Sequence, residues 1–119
     1  MASRRVALVT GAGRGIGSAV ARRLAEDGLS LAVNDVDEEN ARQVVGELLD
    51  MGFEAVPVVG SVAVPESADH VIEMTRKKFG RLDVLVNNAG ATRPAMAHRM
   101  TNDAWDFVIG VALTGTFNM

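Results

Sequence analysis

Residues 6–17 read Val-Ala-Leu-Val-Thr-Gly-Ala-Gly-Arg-Gly-Ile-Gly, an apolar run that passes at once into a glycine-rich loop. A strand that turns sharply into a helix and lets its backbone N–H groups approach a phosphate has no room for side chains there. Such a loop can also begin a helix without a ligand, but here a second apolar run ending in an acid follows, which favours dinucleotide binding. The candidate cofactor residues of this loop are Thr10, Gly11, Gly13, Arg14, Gly15, Ile16 and Gly17.

The alternation of strand and helix patterns continues along the chain. Apolar runs at 6–9, 29–33, 55–59 and 84–86 predict four strands, and amphipathic stretches separate them. Alternation at these lengths predicts an α/β fold, a Rossmann-type doubly wound parallel sheet with strand order 3-2-1-4 and flanking helices. Residues 1–119 would form one domain, the N-terminal four-strand portion of such a fold, with the fourth strand as a bare edge.

Single residues refine these elements. Pro57 places the third strand at a sheet edge, because proline cannot donate to two neighbours. Asp37 is expected to cap the second helix, Pro65 to open the third, and a fourth helix should begin near Thr101. The expected buried stripes are Ile16, Val20 and Leu24 in the first helix; Ala41, Val44, Val45, Leu48 and Leu49 in the second; and Ala68, Val71, Ile72, Thr75 and Phe79 in the third.

Composition excludes several classes of function. A net charge of −3 with only small basic clusters argues against nucleic-acid binding, and the absence of cysteine argues against disulfides or a thiolate metal site. His70 and His98 are too isolated to suggest a metal site of another kind. No apolar run approaches the roughly 18 to 20 residues of a membrane span, and the N-terminal apolar run is too short for a signal peptide. We therefore expect a cytoplasmic protein with no metal.

Asp35 closes the second strand, where a carboxylate can accept hydrogen bonds from the adenosine ribose hydroxyls and would repel a 2′-phosphate. Arg14 favours NADP instead, since an arginine in the glycine loop can pair with that phosphate. We expect NAD rather than NADP, because the acid lies where the phosphate would go. The second candidate wall of the site is Asn88, Ala89 and Gly90, at the end of the fourth strand. Read alone, these residues could form a simple turn.

Together, the loop from Thr10 to Gly17 and the stretch Asn87-Asn88-Ala89-Gly90 resemble the two hallmark motifs of the short-chain dehydrogenase/reductase family. Residues 87–105 are most similar to the 3-oxoacyl carrier-protein reductases within it. The resemblance implies hydride transfer between a nicotinamide dinucleotide and a carbonyl, secondary alcohol or acyl substrate, in a homo-oligomer. It also implies that Ser61 replaces the family aspartate that accepts the adenine amino group, and that Val62 packs against the ring.

The resemblance also marks what is missing. The family uses a serine and a Tyr-x-x-x-Lys pair beyond the fourth strand, and this chain contains no tyrosine. Ala112 occupies the position of a family asparagine that helps hold a proton-relay water. We therefore expect no catalytic residue in these 119 residues, which would bind cofactor without turnover. The alternative is a catalytically dead nucleotide-binding or interaction module.

Overall fold

Four parallel strands form the centre of the molecule in the computed structural model, which describes residues 4–119. The strands are β1 (Val6–Val9), β2 (Ser30–Asp35), β3 (Ala55–Val59) and β4 (Val84–Val86), and they lie in the order β3-β2-β1-β4. In the register, Leu8 is opposite both Ala32 of β2 and Leu85 of β4. The predicted fold class and strand order are confirmed.

Three long helices connect the strands, and a helical segment follows the sheet. The helices are α1 (Gly15–Glu26), α2 (Glu38–Asp50), α3 (Pro65–Phe79), α4 (Asn102–Ile109) and α5 (Gly115–Asn118). A 3₁₀ turn at Ala97–Arg99 precedes α4, and one π-helical turn at Gly110–Thr114 joins α4 to α5. The predicted helix starts are confirmed: Asp37 caps α2, Pro65 is the first residue of α3, and Thr101 caps α4.

The sheet is buried on both faces, because successive strand side chains point to opposite sides. On one face Ala7, Val9, Leu31 and Val33 pack with the apolar residues of α1 and α2. On the other face Leu8, Ala32 and Val58 pack against Val71 of α3. This arrangement gives three layers around one sheet, and it holds the carboxyl ends of the four strands at a fixed edge.

Two of the predicted stripe residues are exposed, and four others are only half-buried: Val20, Leu24, Ile72 and Phe79. Ile16 is 77% exposed and Leu49 is 53% exposed, whereas Ala21, Ala25 and Leu48 are buried. The inner face of α1 is formed by small residues, since Gly17, Ala21 and Ala25 let the helix lie close to the sheet. Helical spacing identified the apolar face of each helix but not its margins, where the two exposed residues lie.

The two edges of the sheet differ. Leu31 N donates to Glu54 O and Gly60 N donates to Asp35 O, so the residues of β3 alternate between pairing with β2 and facing outward. This alternation turns the nitrogen of Pro57 away from β2, as the edge prediction required. Within residues 4–119, β4 pairs only with β1, and its other edge has no partner strand.

No helix between residues 4 and 119 is long and apolar enough to cross a bilayer. Over the same residues, no group of three or more histidine, aspartate or glutamate side chains is arranged to hold a metal ion.

Candidate functional site

A cleft of about 580 Å³ opens at the carboxyl ends of the strands. Its lining includes all the predicted cofactor residues except Thr10 and Gly13: Gly11, Arg14, Gly15, Ile16, Gly17, Asp35, Ser61, Val62, Asn88, Ala89 and Gly90. A smaller groove of about 230 Å³ lies between α1 and α2 and contains none of them. Residues from four separate loops are thus brought to one cleft, as the topology of a parallel sheet requires.

Thr10 and Asn88 join two walls of this cleft. The buried Thr10 Oγ1 accepts hydrogen bonds from Asn88 N at 3.1 Å and Ala89 N at 2.9 Å. Asn88 Nδ2 in turn donates to Thr10 O at 3.1 Å and to Gly11 O at 3.2 Å. These bonds satisfy polar groups that the close approach of the two loops would otherwise leave unpaired. Thr10 and Asn88 therefore fix the relative position of the loops.

The glycines of the first loop serve different needs. A Cβ at Gly11 would lie 2.8 Å from Ala89 Cα, and one at Gly17 would lie 2.5 Å from Asn88 Nδ2, so both positions permit the loops to touch. Gly15 has φ +58° and lines the cleft, and a Cβ there would meet no atom within 4 Å. Gly15 therefore combines a left-handed backbone with open space at the cleft.

The start of α1 leaves its backbone donors without side-chain partners. Arg14 occupies the N-cap and makes no capping hydrogen bond, and the first turn contains no acidic residue. The start of α2 is the opposite case, because Asp37 accepts from Asn40 N and Glu38 and Glu39 follow. Unpaired N–H groups and the helix dipole make a helix start attractive to anions. The start of α1, at the cleft, therefore remains able to attract an anion, whereas the acidic residues at the start of α2 already occupy or neutralise that helix start.

Charged side chains of both signs line the cleft. Asp35 lies at the end of β2 and is half-buried, and the exposed Arg14 belongs to the glycine loop that lines the same cleft. No carboxylate of residues 4–119 lies within ion-pair distance of Arg14. The cleft is therefore lined by the negative charge of Asp35 and by the positive charge of Arg14, which has no ion-pair partner among these residues. The choice between NAD and NADP that the sequence left open thus depends on these two residues.

Ser61 and Val62 lie where β3 leads into α3. Ser61 N donates to Ser67 Oγ at 2.8 Å, and Ser61 Oγ accepts from Ala63 N at 3.2 Å. Val62 is 5% exposed and lines the cleft, and a Cβ at Gly115 would lie 2.5 Å from its Cγ2. The Ser61 hydroxyl is thus tied into its own turn, and Val62 is supported from behind by the C-terminal helix.

Asn34 is a residue that the sequence reasoning missed. It is 1% exposed, and its Nδ2 donates to Val58 O at 2.8 Å and to Gly60 O at 3.1 Å. Its backbone oxygen accepts from Ala12 N at 2.7 Å. Asn34 therefore ties the ends of β1, β2 and β3 together. The signal was available, because a polar residue inside an apolar strand must find partners when it is buried.

The other end of the cleft was also not predicted in detail. Thr92, Arg93, Phe107 and Val111 line it, and the Arg93 guanidinium lies 4.1 Å from the centre of the Phe107 ring. Ala112 is exposed and lies in the π-helical turn, next to Val111. A cation–π contact thus joins the loop after β4 to α4 at this end of the cleft.

Comparison with known proteins agrees with this geometry. The model of the short chain dehydrogenase family matches residues 5–119, nearly the whole chain. The chain belongs to the short chain dehydrogenase family.

Among short chain dehydrogenases, the chain is 46% identical over 114 residues to a 3-oxoacyl acyl-carrier-protein reductase of Synechocystis. That match covers 95% of this chain and 46% of the relative. The chain spans about half the length of the curated relatives it matches.

Two solved oxidoreductase structures are similar to this chain. A metagenomic short-chain oxidoreductase in complex with NADP has a TM-score of 0.91 at 35% identity, covering 98% of this chain and 53% of that protein. The 3-ketoacyl acyl-carrier-protein reductase of Brucella melitensis, complexed with NADH, has a TM-score of 0.90 at 35% identity, covering 98% of this chain and 47% of that protein. Neighbours of this fold thus hold either form of the nicotinamide dinucleotide.

Proposed function

We propose that this chain binds a nicotinamide dinucleotide in the cleft at the carboxyl ends of its strands. The observation that carries the proposal is the start of α1, where unpaired backbone donors adjoin the open space at Gly15. That combination suits a pyrophosphate, which needs N–H donors and the absence of side chains. The fit is supported by the two similar structures, which contain NADP and NADH.

Each part of the cofactor would contact a different group of cleft residues. Gly15, Ile16 and Gly17 would present their amides to the pyrophosphate, with Arg14 beside it. Ser61 and Val62 would contact the adenine. The opposite wall would be formed by Asn88, Ala89 and Gly90, and Thr10, Gly11 and Gly13 would support the loop from within. In this arrangement the glycine loop and the Asn88 loop hold the dinucleotide between them.

The preferred form is NAD. Asp35 ends β2 inside the cleft, where its carboxylate can accept bonds from ribose hydroxyls and would repel a 2′-phosphate. Arg14 can approach the same phosphate, but its side chain is exposed and free to turn to solvent. The Asp35 carboxylate outweighs the Arg14 guanidinium, because two backbone amides hold the carboxylate where a 2′-phosphate would lie.

The reaction class is that of an NAD(P)-dependent oxidoreductase. The bound nicotinamide would donate a hydride to a carbonyl or accept one from a secondary alcohol. A 3-oxoacyl group is the proposed substrate, because one relative is a 3-oxoacyl acyl-carrier-protein reductase. These 119 residues orient the dinucleotide but contain no tyrosine to move the substrate proton. Residues 1–119 thus form a cofactor-binding domain that lacks the Tyr-x-x-x-Lys pair. This domain binds the dinucleotide but does not catalyse the reaction alone.

Isothermal titration of the 119-residue chain with NAD⁺ and with NADP⁺ tests the binding. The site variant is Gly15→Asn, which places a side chain in the open space of the loop. Its matched control is Gly52→Asn, at a left-handed glycine after α2 that also has open space around it. Asparagine is used because it tolerates this backbone region better than other side chains. NAD⁺ binding that is lost only in Gly15→Asn supports the site, and equal binding by both variants would contradict it.

Turnover is tested separately with ketoester and secondary-alcohol substrates. We expect no dinucleotide-dependent absorbance change at 340 nm above the rate of the Gly15→Asn variant. A rate well above that variant would show that another group in the chain moves the proton.

A further inference from the structure

Two backbone amides hold the carboxylate of Asp35. Gly13 N donates to Oδ2 at 3.0 Å, and Asp37 N donates to Oδ1 at 3.0 Å. Each oxygen of a carboxylate has a second lone pair, so one acceptor site remains on each oxygen for a ribose hydroxyl. The carboxylate is therefore fixed in place and still able to accept from a ligand.

Gly13 is glycine for the sake of this contact. A Cβ at Gly13 would lie 2.6 Å from Asp35 Oδ2 and 2.9 Å from Asn40 Cβ, distances that real Cβ atoms do not have. Gly13 is not among the glycines with positive φ, so its backbone does not require glycine. It is buried and does not line the cleft, so a ligand does not require glycine either.

We propose that Gly13 is a specificity-determining residue, which positions the Asp35 carboxylate so that the cleft accepts an unphosphorylated adenosine ribose and disfavours a 2′-phosphate. The inference rests on the proposed function, since it concerns the same cleft. A side chain at Gly13 would push Oδ2 from its place and break the bond from the Gly13 amide. The freed carboxylate could then rotate away from a 2′-phosphate, and it would lose its alignment with the ribose hydroxyls.

The ratio of dissociation constants for NAD⁺ and NADP⁺ is the first test, because general damage to the fold weakens both ligands alike. In Gly13→Ala we expect NAD⁺ binding to weaken about tenfold, as for the loss of one hydrogen bond to a charged group, while NADP⁺ binding stays the same or tightens because the displaced carboxylate repels the 2′-phosphate less. The matched control is Gly46→Ala in α2, where a Cβ meets no atom within 4 Å and φ is not positive. That variant should keep the wild-type ratio.

A double-mutant cycle with Asp35→Ser shows whether Gly13 acts through Asp35. If it does, adding Gly13→Ala to Asp35→Ser leaves the ratio unchanged. Hydrogen exchange of the Gly13 amide without cofactor gives a second readout, and it should be faster in Asp35→Ser than in wild type.

The outcomes separate the two proposals. If the wild-type chain binds neither dinucleotide, the proposed function fails and this inference fails with it. If the wild type prefers NAD⁺ and Gly13→Ala keeps the same ratio, the proposed function stands and this inference alone is overturned. Unchanged exchange of the Gly13 amide in Asp35→Ser would also overturn it.

Discussion

Asn88 Nδ2 lies 3.1 Å from the backbone oxygen of Thr10, although 78 residues separate them in the chain. The Thr10 hydroxyl returns the contact by accepting from the backbone amides of Asn88 and Ala89. These bonds connect the end of β1 to the end of β4 directly, with no side chain of a third element between them. The two walls of the cleft are therefore one hydrogen-bonded unit, and changes to either residue should affect both walls.

Replacing Asn88 tests this unit from one side. In Asn88→Ala the backbone oxygens of Thr10 and Gly11 lose their donor, and we expect a loss of about 2 kcal/mol in the free energy of unfolding. Urea denaturation measures the change. The control is Asn87→Ala, because Asn87 is the exposed neighbour. Equal losses in the two variants would mean that the bonds contribute little.

Replacing Thr10 tests the unit from the other side. Thr10→Val keeps the shape of the buried side chain but leaves the amides of Asn88 and Ala89 without an acceptor, so we expect a loss of about 2–4 kcal/mol. Thr10→Ser keeps the hydroxyl and should lose about 1 kcal/mol from the missing methyl group. Thermal and urea unfolding report the difference, and the order of the two variants would be reversed if packing alone mattered.

Asn34→Asp replaces a buried amide donor with a carboxyl group that faces the backbone oxygens of Val58 and Gly60. Burial beside two carbonyl oxygens favours the protonated acid, so the substitution should cost about 3 kcal/mol at neutral pH. Because the pKa of this acid would rise on folding, the deficit should be smallest below about pH 4 and grow as the pH increases. Urea titrations from pH 3 to pH 8 would show it. A deficit independent of pH would contradict the account.

Asp83 is expected to make the free energy of unfolding of the wild-type chain depend on pH in the acid range. Hydrogen bonds from the Arg81 side chain and from the Val6 backbone amide lower the pKa of its carboxyl below the ordinary value. A lowered pKa means that its stabilising effect is present above about pH 4 and is lost as the pH falls toward the lowered value. Asp83→Asn should therefore be less stable than wild type at pH 7, with the gap closing under acid.

The control for Asp83→Asn is Asp69→Asn, at an exposed position inside α3. A change of the unfolding midpoint between pH 7 and pH 3 that Asp83→Asn shows and Asp69→Asn does not is assigned to the contacts of Asp83. If Asp83→Asn follows the wild type, the contact with Val6 does not contribute to the attachment of β4.

The strands and the helix caps could be predicted, because alternation and single residues such as Asp37 and Pro65 determine them locally. The strand order could be predicted because alternating strands and helices indicate the doubly wound topology. The exposure of Ile16 and Leu49 could not, since the margin of an amphipathic face depends on how closely each helix approaches the sheet. The contact between Arg93 and Phe107 could not be predicted either, because it depends on the path of the loop after β4.

The 119-residue chain should self-associate through β4. Val84–Val86 has one partner strand within residues 4–119, and an unpaired apolar strand presents free amides and carbonyls to other chains. Light scattering across a dilution series should show the mean mass falling as the protein is diluted. A monodisperse monomer at every concentration would refute the prediction.

Pro57 sets a limit on that association. Its ring interrupts the outward row of N–H groups along β3, so this side of the sheet is a poor template for another strand. The sheet therefore has one edge, β4, that can pair with another strand, and one edge, β3, that pairs poorly. Two copies that pair through β4 have a β3 edge at either end of the joint sheet. Because β3 pairs poorly, the association stops at two copies instead of propagating into a fibre.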